Sequence, residues 1–140
     1  MKEYSVTLSG HDLKLRYTRA ERRALETRFK KALAKIVSED VLAIEDGKVT
    51  GAGTWEAQVA FLHAGVKHNG PLVTEQKIET YLEDDINGAD GGIPVIVPLL
   101  KATAALYESG VMGRRIEIHE EEEEPGKAQA ASTTEPTTSP

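Results

Sequence analysis

The chain has 140 residues, no cysteine and a formal net charge of −6. This is the length of one domain able to bury a core without metals, and the missing cysteines exclude disulfides, thiolate zinc sites and cysteine nucleophiles. Because the sequence has no apolar run of about 20 residues and no signal-peptide core in residues 1–6, we expect a soluble, intracellular protein.

Two short runs of alternating apolar residues open the chain. Each run places its apolar side chains on one strand face: Tyr4, Val6 and Leu8, then Leu13, Leu15 and Tyr17. Residues 9–12 (Ser-Gly-His-Asp) between them are typical of a turn. The pattern therefore predicts an N-terminal β-hairpin.

A first helix is predicted from Thr18 to about Ser38. Thr18 and Glu21 have the spacing of a capping box, in which each side chain satisfies a backbone donor near the other. Apolar residues then recur at helical spacing: Leu25, Phe29, Leu33, Ile36 and Val37. The other face is basic, with Arg19, Arg22, Arg23, Arg28, Lys30, Lys31 and Lys35 against Glu21 and Glu26.

Residues 39–53 favour a second, shorter hairpin. Residues 41–44 and 48–50 are rich in β-formers, and they flank Asp46–Gly47, a strong hairpin-turn signal. A helical turn is the alternative interpretation.

Three further helices are predicted between residues 54 and 109. Thr54 and Thr74 are N-cap residues of the first two, and the third begins near Pro94. The residues expected to point inward are Trp55, Val59, Leu62 and Val66, with Phe61 beside them; Ile78, Leu82 and Ile86; and Ile96, Leu99, Leu100, Thr103 and Leu106.

The charge is concentrated at the C-terminus. Six glutamates and one lysine give residues 120–140 a net charge of −5, which leaves −1 for residues 1–119. Residues 119–140 are acidic and rich in Ser, Thr and Pro, so we expect a disordered tail. The predicted fold is thus α+β and mostly α: residues 1–118 form a binding domain with an N-terminal hairpin and about four helices, ending in an extended segment at 114–118.

The search for a catalytic or metal site finds no candidate. His63 and His68 are five residues apart, which is the wrong spacing for two ligands on one helix face. Residues 84–91 fail the calcium-loop register, because the glycine comes too early. No phosphate-binding loop or nucleophile motif is present in the sequence. We therefore expect a protein without cofactor or enzymatic activity.

The basic face of the first helix leaves three interpretations open. It is a solvated surface, a nucleic-acid contact through Arg22, Arg23 and Lys30, or a docking site for the Glu120–Glu124 run. The near-neutral charge of residues 1–119 makes nucleic acid the less expected partner.

The order of these features resembles the tail assembly chaperones of long-tailed phages and of gene transfer agents. The resemblance covers about residues 3–110. It lies in four segments: residues 6–18 (Val-Thr-Leu-Ser-Gly-His-Asp-Leu-Lys-Leu-Arg-Tyr-Thr), 24–29 (Ala-Leu-Glu-Thr-Arg-Phe), 60–68 (Ala-Phe-Leu-His-Ala-Gly-Val-Lys-His) and 72–78 (Leu-Val-Thr-Glu-Gln-Lys-Ile). The hairpin at Asp46–Gly47 departs from the pattern as an insertion relative to compact members.

The resemblance implies a function in tail assembly. Such chaperones coat the tape-measure protein, recruit tail-tube protein and are absent from the finished virion, so the implied location is the host cytoplasm. Self-association along the client is expected. Helix-in-groove binding suits this function, and Trp55, Phe61 and Tyr81 are the candidate contact residues; the alternative is that all three belong to the core.

The resemblance also raises the hypothesis that this chain is a short form of a frameshifted product. Residues 125–127 (Pro-Gly-Lys) permit a slippery codon series. Two other functions remain open: a small phage nucleic-acid-binding or regulatory protein, and a structural tail or connector protein retained in the virion.

Overall fold

The computed structural model describes residues 3–50, 53–88 and 92–113. Its elements in chain order are β1 (Tyr4–Leu8), β2 (His11–Leu15), α1 (Arg19–Phe29), α2 (Leu33–Lys35) continuing as a π-helix (Ile36–Val41), β3 (Ile44–Glu45), β4 (Lys48–Val49), α3 (Trp55–Val66) with a 3₁₀ turn (Lys67–Asn69), α4 (Glu75–Ile86) and α5 (Ile96–Glu108). The fold is α+β and mostly α, as predicted. The predicted extended segment at 114–118 and the tail at 119–140 lie outside the described residues.

The N-terminal hairpin is confirmed, and polar side chains attach it to the helices. Ser9 and Gly10, with φ of 51° and 80°, form the two-residue turn between β1 and β2. The Asp85 carboxylate accepts the N–H of Ser9 at 2.9 and 3.1 Å. At the other strand, the Asn69 amide accepts from the backbone N–H of Lys14 and donates to its carbonyl, at 3.1 and 2.9 Å. The hairpin is therefore held from both sides.

The three predicted threonine caps are confirmed. The side chains of Thr18, Thr54 and Thr74 each accept a backbone N–H in the first turn of α1, α3 and α4. The capping box of Thr18 and Glu21 is complete. These local signals set the start of each helix.

The first helix is shorter than predicted. α1 ends at Phe29, because Lys30 adopts a left-handed conformation with φ of 59°. The helix restarts at Leu33, whose N–H donates to the Glu26 carboxylate at 2.8 Å. The prediction of one continuous helix to Ser38 was wrong. The break was not visible in the sequence, because the helix restarts at once and the spacing of the apolar residues is preserved.

The second hairpin is present but has only two residue pairs. Ile44 pairs with Val49 and Glu45 with Lys48, around Asp46–Gly47. The preceding residues 41–42, predicted to be strand, are instead buried at the end of the π-helix. Their apolar side chains complete the core rather than extend the strands.

Helix α3 is the centre of the fold, packed by α1, the π-helix, α4, α5 and β2. Phe61 is fully buried, and its carbonyl accepts the hydroxyl of Tyr17 at 2.8 Å. Gly65 lies against the Tyr17 ring, so closely that a Cβ at position 65 would be 2.6 Å from Cζ. The carbonyl of Gly65 accepts the N–H of Arg16 at 2.7 Å. A small residue therefore lets the chain after β2 lie directly on α3.

Helix α5 packs on β1, and its inward face agrees with the predicted one except at Leu100. Of the five side chains expected to point inward, Leu99 and Leu106 are buried, Ile96 and Thr103 are half-buried, and Leu100 is 47% exposed. Ala102 and Ala105 are buried as well, so the packed face is turned away from Leu100. At the end of α4, Ile86 was also predicted to be inward but is 37% exposed. No helix in the three described ranges is long and apolar enough to cross a membrane.

Candidate protein-binding surfaces

The three aromatic residues predicted as contact sites occupy different environments. Phe61 lies in the core, with its ring stacked on Tyr17 at a centroid distance of 5.0 Å, and it presents no surface to a partner. Tyr81 is half-buried and stacks on His11 at 4.7 Å. Trp55 is half-buried at the start of α3, and it belongs to neither of these two ring pairs.

Trp55 borders a shallow cavity of about 340 Å³, which it shares with Glu83, Ile86 and Asn87. Its indole Nε1 donates to the Glu79 carboxylate at 2.7 Å. This hydrogen bond fixes the ring at the start of α3. One wall of the cavity is thus a rigid aromatic ring, and another is a partly exposed isoleucine.

An apolar stripe runs along the outer face of α5. It comprises Val97, Leu100, Ala104 and Tyr107, which we call the α5 stripe. The spacing of three, four and three residues places these side chains on one helix face, as in the seam of a coiled coil. Val97 and Leu100 are 46% and 47% exposed, whereas the other two are half-buried.

An exposed isoleucine lies just before the N-terminal end of the stripe. Ile93 precedes Val97 by four residues and is 47% exposed. Its N–H donates to the carbonyl of Asp85 at 2.7 Å, which places the backbone of Ile93 beside the end of α4. Gly92 permits this approach, because its φ is +77° and a Cβ there would lie 2.0 Å from the Ile86 carbonyl oxygen.

The outer face of α5 carries little charge. Within α5 the charged residues are Lys101, which is exposed, and Glu108, which is buried. An exposed face rich in aliphatic residues and poor in charge is typical of a surface that a partner covers. Sequence periodicity did not reveal it, because α5 is apolar on two faces and Leu100 was assigned to the core.

Two of the seven bases predicted on the face of the first helix, Arg28 and Lys31, are paired with acidic residues of other elements. Arg28 donates to Glu75 at 2.7 Å and to Glu56 at 3.2 Å, and these bonds raise its pKa. Lys31 pairs with Asp40 and Glu39 beyond the helix break, at 3.0 and 3.2 Å. Lys30 is exposed at the left-handed end of α1. The seven bases therefore do not form one continuous positive surface.

Three arginines at the start of α1 remain together in a cleft of about 290 Å³. Arg19, Arg22 and Arg23 line it with Glu26, and Val111 and Gly113 after α5 also line it. We call this the arginine cleft. It contains two of the predicted contact residues, Arg22 and Arg23, but not Lys30.

The guanidinium groups in the cleft differ in how they are bound. Arg22 Nε donates to Glu26 at 3.2 Å and Nη1 to the carbonyl of Val111 at 2.7 Å, which joins α1 to the end of α5. Among the described residues, Arg19 and Arg23 have no carboxylate within 4 Å. The cleft therefore holds a surplus of positive charge.

A second cavity, of about 470 Å³, lies between the hairpin and the end of α5 and is lined by Tyr4, Arg16, His68 and Glu108 among others. Partial burial, together with the hydrogen bond to Glu108 and its charge, raises the pKa of Tyr4 to about 12. Burial and the charge of Arg16 lower the pKa of His68.

The two helix histidines have separate roles. His63 Nε2 lies 3.0 Å from the carbonyl of Val73, whereas His68 borders the cavity beside Tyr4. In the part of the chain that the structure describes, no group of three or more His, Asp or Glu residues is placed to hold a metal ion.

Comparison of the chain with protein-family models, curated proteins and solved structures finds no match.

Proposed function

We propose that this chain is a tail assembly chaperone of a long-tailed phage or gene transfer agent, and that it holds helical segments of the tape-measure protein along the α5 stripe. Its place of action is then the host cytoplasm, and tail-tube protein is the second partner. The observation that carries the proposal is the exposed, nearly uncharged stripe Val97, Leu100, Ala104 and Tyr107. The family resemblance in residues 3–110 supplies the identity of the client.

The spacing of the stripe favours a helical client. Residues three and four apart on α5 form a continuous seam, into which the apolar seam of another amphipathic helix can pack. A tape-measure protein is long and largely helical, and it presents many such seams. Ile93, four residues before Val97 and 47% exposed, adds apolar surface at the N-terminal end of α5.

The exposed area predicts weak binding by a single copy. Fully burying a Val, Leu or Ile side chain contributes about 1.5–3 kcal/mol. Ile93, Val97 and Leu100 are each about half-exposed, so covering them contributes roughly 1 kcal/mol apiece. This total does not exceed the roughly 4–15 kcal/mol cost of association. Many copies side by side on one client, with contacts between copies, make the assembly stable yet reversible.

The alternative of a nucleic-acid-binding protein is disfavoured by the ion pairs on α1. Arg28 and Lys31 are engaged by carboxylates, and the arginines of the cleft lie on a helix, α1, that has no exposed aromatic residue. The arginine cleft is small, and it faces the end of α5 rather than an open groove.

Co-expression with the tape-measure protein of the same genome tests the proposal. We expect the wild-type chain to keep that protein soluble and to co-purify with it. The double variant Val97→Ser/Leu100→Ser removes the two most exposed side chains of the stripe. A loss of about 2 kcal/mol per bound copy lowers the affinity by more than tenfold.

The matched control is Ile44→Ser/Leu72→Ser, which removes two exposed apolar side chains outside the stripe, 41% and 79% exposed. Urea unfolding of both variants establishes that each is folded. Full retention of the client by the stripe variant contradicts the proposal, and so does an equal loss in the control.

A further inference from the structure

The arginine cleft has the properties of a site for a carboxylate-rich segment. Arg19, Arg22 and Arg23 lie within two turns of one helix face, and Glu26 is the acidic residue that lines the cleft with them. The Glu26 carboxylate is already occupied by Arg22 and by the N–H of Leu33. Two positive charges are therefore left over in a cavity of about 290 Å³.

The geometry of the three arginines favours a fixed receptor for carboxylates. Arg22 is held in place by its bonds to Glu26 and to the carbonyl of Val111, so its remaining N–H groups have a set direction. Arg19 and Arg23 flank it and have no ion pair within the described residues. Arginine donates to a carboxylate through two parallel N–H groups, and it is favoured wherever acidic groups are recognised.

The chain itself leads from this cleft to its most acidic segment. Gly113, the last residue that the structure describes, lines the cleft. Residues 114–119 separate it from the five consecutive glutamates Glu120–Glu124. Glu120 is seven residues beyond Gly113, a distance of at most about 25 Å along an extended chain, so the acidic run can reach the arginines. Such a short connection gives the acidic run a high effective concentration at the cleft.

We propose that the arginine cleft is an intramolecular docking site for Glu120–Glu124. One or two glutamates of the run occupy the cleft at a time, and they exchange because all five are equivalent in charge. The contact is held by charge and is screened by salt, since the Debye length falls from about 10 Å at 0.1 M to about 3 Å at 1 M. This proposal is independent of any client on α5.

A spin label on the tail of the full-length chain tests the docking. The sequence has no cysteine, so Ala128→Cys carries a single nitroxide. We expect the backbone amide signals of Arg19 and Arg23 to lose at least half of their intensity at 20 mM salt and to recover it at 1 M. A control variant has all five residues of Glu120–Glu124 replaced by glutamine. It measures the attenuation that arises only because the label is covalently connected to the domain.

Two matched variants separate the cleft from general charge. Arg19→Gln/Arg23→Gln removes two cleft charges and leaves the structural Arg22, and we expect it to abolish the salt-sensitive attenuation. Lys48→Gln/Lys101→Gln removes two charges elsewhere, and it should leave the attenuation unchanged.

Three outcomes overturn the proposal. The first is that the amide signals are attenuated equally when Glu120–Glu124 are replaced by glutamine. The second is that the attenuation falls equally in Arg19→Gln/Arg23→Gln and in Lys48→Gln/Lys101→Gln. The third is attenuation in a mixture where the labelled and the observed chains are different molecules, because the contact is then between copies.

Discussion

Replacing Gly65 by alanine tests the packing at the centre of the fold. Helix propensity alone predicts stabilisation by about 1 kcal/mol, because glycine is unfavourable inside a helix. The structure predicts the opposite sign. A Cβ at this position would lie 2.6 Å from both Cζ and the hydroxyl oxygen of Tyr17, so the buried ring must move.

The magnitude follows from two costs. Overpacking a filled core destabilises by about 1–3 kcal/mol. Displacing the ring also breaks the hydrogen bond from the Tyr17 hydroxyl to the Phe61 carbonyl, and an unpaired buried hydroxyl costs about 1–3 kcal/mol. After the gain in propensity, we expect Gly65→Ala to lower the free energy of unfolding by roughly 1–5 kcal/mol.

Urea unfolding measures this change, with the fluorescence of Trp55, the single tryptophan, as the probe. Thr80→Ala on the exposed side of α4 is the control, because it raises helix propensity without a clash and should stabilise slightly. Tyr17→Phe should cost less in the Gly65→Ala background than in the wild type, since the hydrogen bond is already lost. A higher urea midpoint for Gly65→Ala would refute the close approach of ring and helix.

Three further perturbations have defined outcomes. Thr18→Ala removes the cap of α1 and should lower the free energy of unfolding by about 1 kcal/mol in urea titration; an unchanged midpoint would show that the cap is dispensable. The hydrogen bond from the N–H of Leu33, and to a smaller extent Arg22, lowers the pKa of Glu26 below its ordinary 4.5. The ionised carboxylate therefore stabilises the fold above pH 4.5, and this contribution is lost as the pH falls below that value. The free energy of unfolding of Glu26→Gln should fall less steeply with decreasing pH than that of the wild type, and an equal slope would contradict the assignment. Phe61→Ala should cost about 3–5 kcal/mol, seen as a large drop in melting temperature; a folded variant that loses only client binding would instead make Phe61 a contact residue.

Local chemistry made the starts of the helices and the turns predictable from the sequence. A threonine cap or an Asp-Gly turn depends on residues within four positions of each other, so Thr54 and Asp46–Gly47 were identified without knowledge of the fold. The break at Lys30 was not, because the side chain of Glu26 provides the missing acceptor for the second helix. The pattern of apolar residues is the same for a continuous helix and for a helix that breaks at Lys30 and restarts at Leu33.

The candidate surfaces depended on contacts between distant segments. Arg28 is neutralised by Glu56 and Glu75, which are 28 and 47 residues away in the chain. The α5 stripe depended on which side of an apolar helix packs on β1, and the buried side includes the small residues Ala102 and Ala105. Composition identifies an amphipathic or doubly apolar helix, but only the tertiary fold selects the face that remains exposed.

Val111 connects the arginine cleft to the segment after α5. It lies beyond the helix end at Glu108, it lines the cleft, and its carbonyl accepts a hydrogen bond from Arg22. The guanidinium that contributes charge to the cleft therefore also ties the chain after α5 to α1. Replacing Arg22 would remove that charge and that tie together, whereas Arg19 and Arg23 allow the charge of the cleft to be changed while the tie remains.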